Sequence, residues 1–181
     1  VKDLVDAGSM SKEVINWTQG DVMNQFISGN IAMMVNGPWQ VPTMREQAPD
    51  LNWDVTLLPK DAEYASCLGG ENFGVIDGDN VDAALDFLQF ATSKDEVASY
   101  IDDFGYIAAR KDVAEGQFTD DETMQKFTEE MQYAQPRGPH AQWPEISDAL
   151  SLAVNESITG TSTPSDAAAK AQSTIDGILA E

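Results

Sequence analysis

The segment from Phe26 to Trp39, FISGNIAMMVNGPW, constrains the fold more than any other stretch of the chain. A helix that begins between 18 and 21 is predicted to end at Gly29, because glycine suits the left-handed residue that closes a helix. Residues 31–35 form a compact apolar run, typical of a buried strand, although its periodicity also fits a helix. The sequence Asn-Gly-Pro at 36–38 then predicts a turn that holds Trp39 just after the strand.

Trp39 has two interpretations at this stage. Its indole could offer a face to a sugar, because a pyranose ring carries C–H patches that stack on an aromatic ring while its hydroxyl groups contact polar neighbours. Gly37 would allow a close approach of the backbone, and Pro38 would limit local freedom. Alternatively, Trp39 only fills a hydrophobic core. Its position in the sequence favours neither interpretation.

The rest of the chain alternates predicted helices with short predicted strands. Strands are expected at 53–58 and 73–76. Apolar residues at helical spacing predict helices over about 41–47, 81–91, 93–105, 120–131, 144–160 and 163–179. This alternation predicts the α/β class, rich in helix.

Capping signals set several of these helix ends. Ser93 with Glu96 fits a capping box, and Thr119 with Glu122 fits the same pattern. Phe104 continues the apolar stripe of the helix that begins after Ser93, so it is predicted to be buried. Further along, Gly160 is predicted to close one helix, and Thr163 with Pro164 to open the last.

Composition limits the partners that the chain can bind. Asp and Glu number 31 against 10 Lys and Arg, which gives a formal charge of -21. Nucleic acids and anionic membrane surfaces are repelled by such a charge, so neither is expected as a partner. No apolar run reaches the roughly 18 residues that span a bilayer, so no membrane insertion of this segment is expected.

Few residues are suited to catalysis or metal binding. His140 is the only histidine and Cys67 the only thiol, which makes a nucleophilic triad improbable and excludes an internal disulfide. The sequence from Asp77 to Leu88 departs from a calcium loop at several ligand positions. We therefore predict no catalytic residue, no metal site and no cofactor. Among 31 acidic residues, a carboxylate pair for glycoside hydrolysis stays an open alternative.

Two loops carry groups suited to a neutral polar ligand. Gly69, Gly70, Glu71 and Asn72 precede a predicted strand, where backbone amides and short polar side chains could meet hydroxyl groups. Arg137 and Trp143, in a second loop, combine a planar hydrogen-bond donor with an aromatic face. Structural alternatives exist for each: a simple turn for the glycines, an ion pair for the arginine and a hydrophobic staple for the tryptophan.

Taken in order, these segments resemble the back half of the family 1 extracellular solute-binding proteins, the maltose-binding-protein-like subunits of ABC importers. The resemblance lies in F-x-x-G-x-x-A-M-x-x-x-G-P-W at 26–39, W-D-V-T-L-L-P at 53–59 and L-G-G-E-N-F-G-V-I at 68–76. It continues through 82–113 and from 136 to the closing helix. Where the family usually has proline the chain has Ala108, so a less rigid loop is expected there.

The resemblance implies a fold of the periplasmic-binding-protein type II, with two α/β lobes that close on a ligand. Only the C-terminal half of that fold is expected in this chain. Residues 1–55 would belong to the C-terminal lobe, 56–115 to the N-terminal lobe, and 116–181 to the C-terminal lobe again with its closing helices. A piece of this size is expected to expose surface that the front half of the fold would cover.

The resemblance also implies a function and a set of site residues. By position, Trp39 matches the aromatic residue that stacks on the sugar, Gly69–Asn72 match a cleft loop and Arg137 matches a polar contact; Tyr106 and Trp143 match less closely. The implied protein is not an enzyme: it binds a carbohydrate outside the cytoplasm, as a periplasmic protein or cell-surface lipoprotein, and delivers it to the transmembrane permease subunits. A carbohydrate-active enzyme and an exported binding or adhesion domain remain alternatives.

Overall fold

The computed structural model describes residues 1–180. Its α-helices are α1 (Lys2–Asp6), α2 (Gln19–Ile27), α3 (Val41–Gln47), α4 (Val81–Ala91), α5 (Lys94–Tyr100), α6 (Lys111–Ala114), α7 (Glu122–Glu130), α8 (Trp143–Thr159) and α9 (Pro164–Leu179). Short 3-10 helices occur at Lys12–Ile15, Pro38–Gln40 and Met131–Tyr133. Two short strands, β1 (Ser66–Cys67) and β2 (Ala134–Gln135), pair in parallel.

One compact unit combines residues 1–22 with the chain from Gly138 onward. Its longest helices, α8 and α9, pack against each other and bury Ile158, Ala167 and Ala171. The two alanines lie one helical turn apart, and their small side chains allow the close approach of α8. Gly160 closes α8 with φ +79°, and the Thr163 hydroxyl accepts the Asp166 N–H at the start of α9, so both predicted helix ends are confirmed.

The second compact unit spans Met23–Arg137. A buried cluster of Val97, Ala108 and Val113 joins α5 to α6 through the loop between them. Two methionines, Met44 in α3 and Met124 in α7, are the largest fully buried side chains among the described residues. Methionine fills irregular gaps well, which suits a unit built from short helices.

Several predicted helices of this unit are confirmed at their bounds. The helix α2 ends just before Gly29, which has φ +73° as predicted for a closing glycine. The helices α3 and α4 occupy 41–47 and 81–91, as the apolar spacing predicted.

Three predictions about helix ends in this unit are wrong. Ser93 is the N-cap residue of α5 as predicted, but the capping box is not formed, because its side chain makes no capping hydrogen bond. Asp121, not Thr119, caps α7, because its carboxylate accepts the Met124 N–H at 3.1 Å. Since α5 ends at Tyr100, Phe104 falls beyond the helix and is 58% exposed instead of buried.

The strands predicted at 31–35, 53–58 and 73–76 are also wrong. These segments are irregular, and their apolar residues Met33, Val35, Phe73 and Ile76 are exposed, Ile76 to 91%. A strand forms only when a second segment pairs its backbone N–H and C=O groups, and among the described residues only β1 and β2 do so. The described residues form a helix-rich structure with one short parallel strand pair, in place of the larger sheet that the α/β prediction implied. The two-lobe fold stays a prediction.

Candidate ligand-binding site

Trp39 lies in the 3-10 helix Pro38–Gln40, which continues directly into α3. Its indole folds back over Gly37, because a Cβ placed on Gly37 would lie 2.1 to 2.4 Å from three atoms of the six-membered ring. Only glycine leaves room for the ring at this distance. Trp39 is half-buried, so part of its aromatic surface remains accessible.

Tyr106 is held beside Trp39 by a second glycine. Gly105 is buried and has φ +67°, and a Cβ there would lie 2.8 Å from the Pro38 carbonyl oxygen and 2.9 Å from Pro42 Cδ. The loop thus packs directly on the helical run that carries Trp39. The Trp39 and Tyr106 ring centroids are 6.2 Å apart with an interplanar angle of 40°. Both predicted aromatic residues therefore belong to one cluster.

Two further aromatic rings extend this cluster. Phe104 lies 6.4 Å from Tyr106 between centroids, and Tyr100 lies 6.2 Å from Phe104 in an edge-on arrangement. Tyr106 is half-buried and Phe104 is exposed, so the cluster presents apolar ring surface at the edge of the unit. Partly exposed rings of this kind can stack on the C–H faces of a ligand.

Gln117 fixes the backbone that carries Tyr106. Its side-chain oxygen accepts the Ala108 N–H at 2.7 Å, and its Nε2 donates to the Tyr106 carbonyl oxygen at 3.1 Å and to Asp102 Oδ1 at 2.5 Å. The amide orientation follows from these partners, since a flipped amide would face the Ala108 N–H with its own N–H groups. The loop at 106–108, where lower rigidity was expected, is thus tied by a hydrogen bond that a proline at 108 could not donate.

An ion pair holds the helix that follows Trp39. Arg45 of α3 donates one hydrogen bond from each terminal guanidinium nitrogen, Nη1 and Nη2, to the Asp121 carboxylate, at 2.7 and 2.8 Å. These hydrogen bonds, followed by the hydrogen bond from the Met124 N–H and the Arg45 charge, hold the pKa of the Asp121 carboxyl below its ordinary value, while partial burial opposes the shift. Asp121 also caps α7, so one carboxylate joins α3 to α7.

The Gly69–Asn72 loop and Arg137 both follow the C-terminal ends of the paired strands. The strands β1 and β2 run parallel, with Cys67 opposite Gln135, and the Leu68 N–H donates to the Gln135 carbonyl oxygen at 2.9 Å. Residues 69–72 and Arg137 follow these strands within a few positions, and all are exposed. We call these residues the loop edge.

Trp143 is the first residue of α8 and belongs to the other compact unit. It is half-buried, and its ring lies 3.9 Å from the Cβ position of Gly138. The backbone N–H of Trp143 donates to the His140 carbonyl oxygen at 3.0 Å. The local contacts of Trp143 are therefore those of a side chain that packs on the loop before its helix.

Other kinds of site find little support in the described part of the chain. No helix of residues 1–180 has both the length and the apolar content needed to cross a membrane. In the same residues, no three His, Cys, Asp or Glu side chains are grouped so that they could hold a metal ion. Cys67 is an exposed free thiol. The aromatic rings and polar loops described above therefore stay candidates for ligand binding.

The profile of the family described as bacterial extracellular solute-binding protein matches residues 1–126. The chain belongs to this family. The matched part includes Trp39, Tyr106, Gln117 and residues 69–72, whereas Arg137 and Trp143 lie beyond it. The resemblance inferred from the sequence motifs is thereby confirmed.

Three curated proteins match almost the whole chain. They come from Brucella abortus strain 2308, Brucella abortus biovar 1 strain 9-941 and Brucella suis biovar 1 strain 1330, and each is 28% identical over 178 residues. The matches cover 94% of this chain and 43% of each relative, so the chain spans less than half the length of these relatives. All three are named for binding, and their names give no ligand.

Sequence reasoning missed the residues that support the aromatic pair. Gln117, Arg45 and Asp121 are polar residues with no motif around them, and Arg45 meets Asp121 across 76 positions of sequence. One signal was available: only 10 cationic residues stand among 31 acids, so each arginine is expected to find a carboxylate partner. The sequence does not say which of the acids it is.

Proposed function

We propose that the protein containing this chain is the extracytoplasmic substrate-binding component of an ABC importer. It captures a sugar or oligosaccharide and delivers it to the transmembrane subunits of the permease. Membership of an extracellular solute-binding family supports the binding role and a location in the periplasm or on the cell surface. The family is one of binding proteins, which supports a function without bond chemistry.

One observation carries the choice of a sugar. The half-buried rings of Trp39 and Tyr106 lie 6.2 Å apart, where Gly37 lets the Trp39 ring fold back and Gly105 lets the Tyr106 loop pack closely on Pro38. Rings fixed in this way can stack on the apolar faces of a pyranose without losing much side-chain freedom on binding. The backbone amides of residues 69–72 and the Arg137 guanidinium are suited to the hydroxyl groups of the same ligand.

The aromatic pair also fits the proposed two-lobe organisation. Trp39 belongs to the segment assigned to the C-terminal lobe, 1–55, and Tyr106 to the segment assigned to the N-terminal lobe, 56–115. We propose that the ligand binds where these two segments pack together, within the compact unit Met23–Arg137 that contains both rings. Closure of the lobes over the sugar would then create the surface that the permease recognises.

The exposed apolar segments support the view that the remainder of the full-length protein completes this fold. Met33, Val35, Phe73 and Ile76 lie open in segments whose composition is that of buried strands. Since the chain spans 43% of its relatives, much of their length has no counterpart in it. We propose that the rest of the full-length protein covers these apolar side chains.

The test is calorimetry on the full-length protein with maltose, maltotriose, cellobiose and sucrose, combined with chromatography of each mixture for products. Saturable heat with one equivalent of sugar and no product supports the proposal. Release of a product that depends on a carboxylate near the aromatic pair would instead establish a carbohydrate-active enzyme. The absence of heat with every saccharide would contradict the choice of a sugar as the ligand and would favour another solute or an adhesion domain.

Trp39→Ala is the decisive variant. Loss of an aromatic contact is expected to weaken saccharide binding by more than about 1 kcal/mol while the fold is retained. Trp17→Ala is the matched control, because Trp17 is also half-buried but lies in the other compact unit. Calorimetric affinities and far-UV circular dichroism of both variants separate binding from stability. Equal affinities for wild type and Trp39→Ala would show that Trp39 only fills space.

A further inference from the structure

Residues 117–121, which we call the clamp turn, contact both chain segments that carry the aromatic pair. At its start, Gln117 bonds the loop of Tyr106 through the Ala108 N–H and the Tyr106 carbonyl oxygen. At its end, Asp121 bonds Arg45 of α3, the helix that continues from the 3-10 helix of Trp39. One short turn is therefore linked to both rings through polar groups.

The clamp turn contains backbone strain. Phe118 has φ +57°, and it is the one non-glycine residue with positive φ among residues 1–180. A bulky residue is strained in this region of backbone conformation, and the strain persists only where the surroundings fix the residue. Gln125 does so, because its Nε2 donates to the carbonyl oxygens of Phe118 and Thr119 at 3.1 and 2.7 Å.

We propose that the clamp turn sets the distance between Trp39 and Tyr106, and that Gln117 is a positioning residue for ligand binding. Its importance for affinity rests on the proposed function. Gln117 acts through the backbone of the Tyr106 loop, since its three bonds go to the Ala108 N–H, the Tyr106 carbonyl oxygen and Asp102. The packing of Ala108 against Val97 and Val113 fixes one end of that loop, and the Gln117 amide bonds the peptide groups between Tyr106 and Ala108.

The glycine contact alone leaves the position of the Tyr106 ring open. Gly105 brings the loop against Pro38 and Pro42, and the Tyr106 N–H donates to the Ile101 carbonyl oxygen at 3.3 Å, but neither contact reaches the peptide groups between Tyr106 and Ala108. The Gln117 amide holds both ends of the 106–108 segment, because it accepts from the Ala108 N–H and donates to the Tyr106 carbonyl oxygen. A side chain that bonds two peptide groups at once restricts the rotation of both.

The test compares Gln117→Met, which keeps the size of the side chain and removes its three hydrogen bonds, with Gln172→Met. Gln172 is a matched control, because it is an exposed glutamine that donates one hydrogen bond to Asp176 within α9. Full-length protein labelled with 5-fluorotryptophan is examined by fluorine NMR without any saccharide. Trp39→Phe assigns the Trp39 resonance, and Tyr106→Leu defines the shift produced by loss of the neighbouring ring.

We expect Gln117→Met to move the Trp39 resonance toward its position in Tyr106→Leu, and Gln172→Met to leave it unchanged. An unchanged Trp39 resonance in a folded Gln117→Met protein would overturn the proposal. If Gln117→Met fails to fold, Gln117→Glu serves in its place, since it keeps an acceptor for the Ala108 N–H and loses both donated bonds. Its Trp39 resonance is expected to move as well, and an unmoved one overturns the proposal.

Affinity for the tightest-binding saccharide of the panel gives the second readout. Gln117→Met is expected to weaken it about threefold to tenfold, as loss of positioning hydrogen bonds does. In the double variant with Tyr106→Leu, Gln117→Met should add little, because both changes act through one ring. Full additivity would contradict the positioning role. If no saccharide binds even to the wild type, the proposed function fails, while the fluorine spectra still decide whether the clamp turn positions Trp39 and Tyr106.

Discussion

Glycines lie beside the aromatic pair and within the loop edge, yet the structure supports these two regions very differently. Gly37 and Gly105 lie against side-chain and backbone atoms at 2.1 to 3.0 Å from an added Cβ, whereas Gly69 and Gly70 have nothing within 4 Å. The Trp39 and Tyr106 rings are half-buried, and the residues of the loop edge are exposed. Glycine in the first region makes room for close packing, and in the second it leaves the chain open.

This difference teaches which residues of a candidate site can fix the orientation of a ligand. A side chain held by neighbours loses little freedom when it binds, whereas an exposed loop must be ordered at a cost in entropy. We therefore expect the aromatic pair to determine affinity and the loop edge to adjust around the ligand. Four substitution experiments test this division, from the largest expected effect to the smallest.

Gly105→Ala should have the largest effect on stability. The new Cβ meets the Pro38 carbonyl oxygen at 2.8 Å in a residue with φ +67°, so strain and a backbone clash add. We expect a loss of about 2–4 kcal/mol in the free energy of unfolding. Gly29→Ala is the control, since Gly29 has φ +73° but open space around it, and should cost about 1 kcal/mol. Urea denaturation measures both, and equal losses would mean that the contact with Pro38 is unimportant.

Gly37→Ala should strongly affect ligand binding. Its Cβ would occupy the position of the Trp39 ring, which must then turn away from Gly37. We expect saccharide affinity to fall about tenfold or more, comparable with the loss of a buried aromatic contact. Gly69→Ala, in the open loop edge, is the control and should change affinity less than about twofold. Calorimetry with both variants checks the prediction, and a larger effect at Gly69 would reverse the comparison.

Arg137→Ala should have a smaller effect than either change beside the aromatic pair. The guanidinium is exposed and lies beyond β2 in a loop that other residues do not enclose. We expect saccharide affinity to fall by about 0.5–1 kcal/mol, as for one hydrogen bond at a solvated site. Arg110→Ala, another exposed arginine, provides the baseline. A loss greater than that of Trp39→Ala would assign the leading role to the loop edge.

The Arg45–Asp121 pair should give a small, pH-dependent effect on stability. Because the folded-state pKa of Asp121 lies below its ordinary value of 3.8, the pair contributes fully above that pH and the contribution is lost as the pH falls through the folded-state pKa. We expect Arg45→Gln to cost on the order of 0.5 kcal/mol at pH 7, since the pair is partly solvated. Lys126→Gln, which breaks a pair within α7, is the control.

Stability of wild type and Arg45→Gln is compared by urea denaturation from pH 7 to pH 3. The difference between them should shrink at the acid end, because protonated Asp121 no longer attracts Arg45. A difference that stays constant over this range would show that Arg45 stabilises α3 only by packing.

Local signals explain which parts of the fold could be predicted from the sequence. Gly29, Gly160 and Thr163 act on neighbouring residues through positive φ or a short hydrogen bond, so their roles are visible in a few letters. The capping prediction at Thr119 failed for a related reason. Asp121 is an equally good cap two residues later, and its pairing with Arg45 fixes it there.

Non-local contacts explain what could not be predicted. The segment 31–35 has the composition of a buried strand, but a strand needs a partner that no local pattern supplies. Trp39 was recognisable as a candidate because glycine and proline precede it. Gln117 was not, because its role depends on peptide groups at 106 and 108 that only the folded loop brings to it.

The central claim is that Trp39 contacts the ligand beside Tyr106. Fluorine NMR of 5-fluorotryptophan-labelled full-length protein tests it most directly, with spectra recorded during titration with each saccharide of the panel. The account predicts that the Trp39 resonance shifts in proportion to the calorimetric saturation, while the Trp17 resonance does not move. A saccharide that saturates the protein and leaves the Trp39 resonance unchanged would contradict it.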